Sequence, residues 1–175
     1  MSEHFKQSWI LKGEELLGIR EIKGAEHNPI ITGMFIEINA NGTTQSGRPA
    51  AKAWWSDDDK PWCGVVHAYL KTVCGYPIPK EWYRAKKWAK WGVPCAPQVG
   101  ATAVLSRAGG GHVATCVGFT EDGRALLQGG NQDDAFNIKP FAMNRIKRWR
   151  LPIGVRHRNQ YVVLNYDGTE VASMA

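Results

Sequence analysis

Cys63 and His112 are the two side chains whose surroundings give them chemistry beyond packing. Cys63 lies in the run Asp59-Lys60-Pro61-Trp62-Cys63-Gly64, where a proline predicts the first turn of a helix. Backbone N–H groups there have no helical partner, and the helix dipole places partial positive charge beside the sulfur. Both favour a thiolate, and a cysteine of ordinary pKa ~8.5 can fall to about 3.5–7.5 in such a position. The same N–H groups can cradle the oxyanion formed when a thiolate attacks a carbonyl. A small buried hydrophobe is the commoner fate of a cysteine; the position in a proline-led first turn favours the nucleophile.

His112 follows Gly109-Gly110-Gly111 and opens a strand. Asp122-Gly123 reads as a two-residue hairpin turn, which pairs Glu121 with Arg124. That register sets His112 opposite Asp133, with Asn131 a diagonal neighbour on the same face. An imidazole that must take a thiol proton needs its other nitrogen held by such a polar partner, Asn131 or Asp133. A bulge at Gly129-Gly130 would shift the register. The other candidates are weaker. Cys116 shares a strand face with His112 but lies about 13 Å along it by strand rise. Cys74 sits near a helix end where the dipole has the wrong sign, and Cys95 has no evident partner. His67, one turn after Cys63, could reach it but reads as a residue that packs or bonds locally, and His4, His27 and His157 have no chemical company.

The elements that must position these residues divide the chain into a helical half and a strand half. Apolar spacing predicts helices over 2–17, from Asn28-Pro29 onward, over 62–73 and over 81–91. Strands are predicted over 101–106, 112–120, 124–129, 136–141, 146–151 and 161–165. Helices first and an antiparallel sheet afterwards make an α+β fold without βαβ alternation. Residues 1–153 form the expected domain, and 154–175 a basic extension or an extra strand of it.

Composition narrows the class. At 175 residues, 43% hydrophobic and 22% charged, the chain suits one soluble domain with a self-sufficient core. No apolar run approaches the roughly 20 residues of a membrane span, and the first residues lack a secretory pattern. Synthesis in a cytoplasm, with delivery by other means, is therefore expected. Four cysteines without any Cys-x-x-Cys pair predict neither a disulfide scaffold nor a metal site, and no cofactor is expected. The net charge of +6 is concentrated in seven cations between Asp134 and Asp167: Lys139, Arg145, Lys147, Arg148, Arg150, Arg156 and Arg158. Such a field attracts polyanions, or simply aids solubility. Of the eight tryptophans, Trp54, Trp55 and Trp62 cluster around Cys63 and suit a groove wall, although core packing is the default.

Pro61-Trp62-Cys63 at a helix start, Gly111-His112-Val113 opening a strand and Gly129-Gly130-Asn131-Gln132 soon after resemble the CHAP and NlpC/P60 peptidoglycan hydrolases of phages and bacteria. The resemblance runs from about Trp9 through Pro152 and includes Trp88-Ala89-Lys90-Trp91-Gly92 and Arg150-Leu151-Pro152. It implies a papain-like fold, Cys63 as nucleophile, His112 as base and Asn131 as the polar third member. Gly64 stands where relatives carry alanine or serine. The implied activity is hydrolysis of an amide in the stem peptide or at the muramoyl–alanine linkage by a monomeric phage lysin or bacterial wall-lytic protein. Bacterial peptidoglycan is the implied partner, with other phage or secretion-machinery proteins for delivery. The rival expectation is a non-catalytic wall-binding or phage structural module that kept the fold. Nucleic-acid binding ranks last, because no recognised fold signature accompanies the basic segment.

Overall fold

The computed structural model describes residues 6–107 and 109–168. Three α-helices come first: α1 Ser8–Glu14, α2 Pro29–Asn41 and α3 Cys63–Val73. A single antiparallel sheet follows, built from β1 Val93–Pro94, β2 Thr102–Arg107, β3 Gly110–Phe119, β4 Ala125–Gly129, β5 Asn137–Phe141 and β6 Ile146–Leu151. Its order is β1-β6-β2-β3-β4-β5. The expected α+β class is therefore observed.

Helix starts follow local chemistry. Asn28 caps α2 by accepting the Ile30 N–H at 2.9 Å, and Pro29 takes the first helical position, where its missing N–H is no loss. At α3 the arrangement differs from expectation. Trp62 is the N-cap residue and offers no side-chain cap, so Pro61 lies ahead of the first turn instead of within it. The acidic run before it does other work. Buried Asp58 accepts the N–H groups of Ile22 and Asn28, at 3.0 and 2.9 Å, and meets His27 Nδ1 at 2.8 Å. Burial alone would raise the Asp58 carboxyl, but these three partners outweigh it and hold the pKa below the ordinary value. The predicted helix over 81–91 contracts to a 3-10 turn, Ala85–Lys90. The predicted first helix contracts to α1, and residues 2–5 of it lie outside the described residues.

Helix α3 is the central element, lying against α2 on one side and β3 on the other. Its buried face joins Trp9, Phe35, Trp62, Trp82, Trp88 and Trp91 in the main core. Most tryptophans are thus structural, whereas Trp54 is 72% exposed. A smaller core of Ala103, Leu105, Ala114, Cys116, Phe119 and Leu127 covers the other face of the sheet. Lys71 is also fully buried, its Nζ 3.9 Å above the Trp9 ring and without a hydrogen-bond partner. Burial drives its pKa well below the ordinary lysine value.

The β3–β4 hairpin corrects the expected register. Thr120 N donates to Arg124 O, and Gly123 (φ 80°) donates to Thr120 O, giving a three-residue loop in place of the two-residue turn. A further bulge falls between Cys116 and Gly118, so Thr115 faces Gln128 where the two-residue turn would set it against Gly130. The predicted strand over 161–165 is reduced to one bridge, Phe119 with Val163. The segment after 153 nevertheless docks on the same body: Phe119 N donates to Val162 O, and Val99 N to Gln160 O. Residues 169–175 of the predicted extension lie outside the described residues.

Candidate active site

Cys63 opens α3, and the backbone N–H groups of Val113, Gly64 and Cys63 itself lie close enough to its sulfur to favour the thiolate. Val113 is the residue after His112, so α3 delivers the thiol against β3 beside that histidine. Gly64 lets the Trp82–Tyr83 backbone pass close to the start of α3. A Cβ there would lie 2.7 Å from Tyr83 O and 2.8 Å from Trp82 O, which explains glycine in place of a larger residue.

The expected thiolate is not what the surroundings favour. Cys63 is 2% exposed, and burial pushes its thiol above the ordinary value; the Val113 N–H and the Arg107 guanidinium offset only part of that. The resting group is a thiol. Burial likewise raises the Cys116 thiol, pushed up to about 12, which makes it an inert core residue.

His112 is equally enclosed, and its partner is Gln132, neither Asn131 nor Asp133. His112 Nε2 lies 2.9 Å from Gln132 Oε1. The amide cannot be turned round: Gln132 Nε2 donates to Asn137 O and Asn137 Oδ1, both at 2.9 Å, and to Leu127 O at 3.2 Å. Its oxygen must therefore face the ring, Nε2 must carry the proton, and Nδ1 is left as the basic lone pair. Nδ1 is buried and makes no hydrogen bond to Cys63 or to any other described group. Burial lowers the imidazole pKa to about 4; Gln132 pulls it upward, while Arg107 and Arg145 add to the depression. At neutral pH the pair is thiol and neutral imidazole.

Asn131 instead sits between Arg107 and Glu21, with both contacts at 3.4 Å. Glu21 also accepts the Trp62 Nε1–H at 3.2 Å, tying the chain before Cys63 to the turn after β4. Asp133 points outward and pairs with Lys139. The Gly-Gly-Asn-Gln run now has a steric cause. A Cβ on Gly129 would sit 2.7 Å from Ala114 Cβ and 3.0 Å from Gln132 Oε1; one on Gly130 would sit 2.5 Å from Val66 and 2.6 Å from the Trp62 ring. Asn131, Asp133 and Asp134 all hold left-handed backbone (φ 56°, 55° and 59°), which turns Gln132 in toward the ring.

Two clefts meet here. The larger, about 880 Å³, is lined by Cys63, Trp54, Trp55, Tyr83, Lys86 and Arg107. The smaller, about 510 Å³, is lined by His112, Gln132, Lys139, Phe141, Arg145 and Arg107. Arg107 alone lines both among the described residues. The Trp54 and Trp55 rings, 4.7 Å apart, make the groove wall expected beside the thiol. His67 bonds Thr102 at 2.9 Å and packs on Trp88, so it serves the core as expected. His27, Asp58 and Asp59 have ligand atoms within 4.8 Å of one another, but His27 and Asp58 already satisfy each other there. No family model, no curated protein and no solved structure matches this chain.

Proposed function

We propose that this chain is a papain-like cysteine hydrolase that cuts an amide bond of bacterial peptidoglycan, with Cys63 as nucleophile and His112 as base. The observation that carries the reading is the orientation of one imidazole. Gln132 holds the proton on Nε2, and Nδ1 remains a buried lone pair without a partner, on the strand the thiol leans against.

In the first step Nδ1 takes the Cys63 proton as the sulfur bonds the substrate carbonyl carbon. Catalytic hydrogen bonds that are loose in the free enzyme tighten in the substrate complex. The tetrahedral oxyanion is met by backbone N–H groups at the start of α3. Collapse breaks the C–N bond as Nδ1–H protonates the leaving amine, and a thioester remains. Water, deprotonated by Nδ1, then releases the acid and restores the thiol. Gln132 takes the orienting role that Asn131 was expected to fill. The aromatic pair beside Cys63 suits a sugar or an extended peptide, and the basic surface suits an anionic wall.

The test is Cys63→Ala on purified peptidoglycan: the variant keeps its fold and releases no new amino groups. Full activity in that variant would end the proposal. Burial of the same thiol favours a second reading, a wall-binding or phage structural module that kept the fold. It predicts retention on peptidoglycan by the wild-type chain with no bond cut.

A further inference from the structure

Arg107 closes β2 at the junction of the two clefts, and Arg145 ends the short 3-10 turn, Met143–Arg145, over the smaller one. Both side chains are exposed, and no carboxylate pairs with either among the described residues. Arg107 reaches only the neutral Asn131 amide, at 3.4 Å, and Arg145 lies over the Phe141 ring at 5.5 Å. Of the other cations nearby, Lys139 pairs with Asp133, and Arg84 and Lys87 share Glu81, whereas Lys86 lines only the larger cleft. Phe141 in turn stacks on His112, 5.7 Å between ring centres, so the two guanidiniums flank the base.

Which half of a substrate meets them follows from the chemistry proposed above, on which this inference rests. The sulfur attacks the acyl carbon, so the acyl half occupies the cleft that Cys63 lines. The imidazole protonates the departing amine, so the amine half occupies the cleft that His112 lines. We propose that the departing fragment carries a free carboxylate beside the scissile amide, gripped by Arg107 and Arg145 in the smaller cleft. A guanidinium fork matches a carboxylate in two parallel hydrogen bonds, and exposed arginines without partners are the fitting receptor. The same contact acts on the base. Both guanidiniums oppose the imidazolium that forms in the reaction, and a bound carboxylate neutralises that opposition. A substrate with the carboxylate thus improves the base it is about to use; one without it leaves the base suppressed.

The test uses one wall-stem peptide in two forms, carboxylates free and carboxylates amidated, titrated into the Cys63→Ala protein by calorimetry. The free form should bind at least about tenfold more tightly. Arg145→Gln, which alters only the smaller cleft, should abolish the preference, whereas Lys86→Gln, which alters only the larger, should leave it. The His112 ring resonances of the same protein should titrate at higher pH with the free form bound. Equal binding of the two forms, binding of neither, or a preference lost in Lys86→Gln and kept in Arg145→Gln would each overturn the inference. Amino-group release by the wild-type protein tests the proposed hydrolysis separately, so a preference lost with hydrolysis intact overturns this inference alone.

Discussion

Replacing Gln132 separates the tautomer argument from mere packing. The Gln132 oxygen accepts from His112 Nε2, and its nitrogen holds Leu127 O and the Asn137 side chain and carbonyl. In the reaction the ring becomes imidazolium, and its bond to Gln132 becomes charge-assisted, worth about 1.5–3 kcal/mol. At about 1.4 kcal/mol per factor of ten, Gln132→Leu should lower kcat by roughly ten- to hundred-fold. Buried carbonyls left unpaired cost about 1–3 kcal/mol each, so stability should fall too, and urea midpoints must be measured alongside. Gln132→Glu distinguishes the two effects. It keeps an acceptor for Nε2–H but loses the donors to Leu127 and Asn137, so it should be destabilised yet retain more kcat than the leucine variant. Its carboxylate favours imidazolium, so the acid limb of kcat/KM, set near the free-enzyme His112 pKa of about 4 in the wild type, should move to higher pH. The assay is amino-group release from peptidoglycan across the pH range. A folded Gln132→Leu protein with wild-type kcat and an unmoved pH profile would refute the reasoning.

Three further outcomes follow from groups described above. His112 has a folded pKa of about 4 against an ordinary value of 6.5; between those values the unfolded chain binds a proton that the native chain refuses, so stability is full above about 6.5 and falls as pH drops toward 4. The loss is on the order of 3 kcal/mol, and His67, lowered in the same direction by burial, adds to it; urea midpoints that rise on acidification would contradict this. Lys71→Met removes a buried amine without a hydrogen bond while keeping its contact with Trp9, and should raise stability by about 1–3 kcal/mol, read from the urea midpoint at neutral pH, where a lower midpoint would show an uncounted role for the amine. Gly130→Ala sets a methyl 2.6 Å from the Trp62 ring and should cost about 1–3 kcal/mol and disturb the Cys63 turn, seen as a lower melting temperature with lost activity; a neutral effect would mean that Trp62 can yield.

The fold class was legible because helix and strand periodicities occupy separate halves of the chain. The cap at Asn28-Pro29 falls where the residues place it, since it depends on neighbours in sequence, and β6 keeps its predicted bounds although its partners β1 and β2 lie far along the chain. Asp122-Gly123 marked the hairpin correctly but not its loop length. Thr120 closes the turn with its own hydroxyl, which accepts the Arg124 N–H at 2.9 Å, and that contact is invisible to a dipeptide rule. The error propagated: alternation put Gln132 on the wrong face, whereas three left-handed residues turn it back to the ring. The thiolate expectation failed for a related reason. Helix-start N–H groups were readable at Cys63, but the burial that outweighs them is a tertiary property. Arg107 and Glu21 carry no local signal at all, since each acquires its role from partners far along the chain.

The left-handed turn at 131, 133 and 134 has a mechanical consequence. Asn and Asp are the L-residues that enter that conformation most readily, so these residue types let the chain make this turn with little backbone strain. The turn is pinned by the very amide that aims the histidine, through Asn137 on one side and Leu127 on the other. Backbone bonds hold the same turn, Gln132 N–H to Ala135 O and Glu21 N–H to Asp134 O, so the aim of the ring is carried by the whole turn and not by one side chain alone.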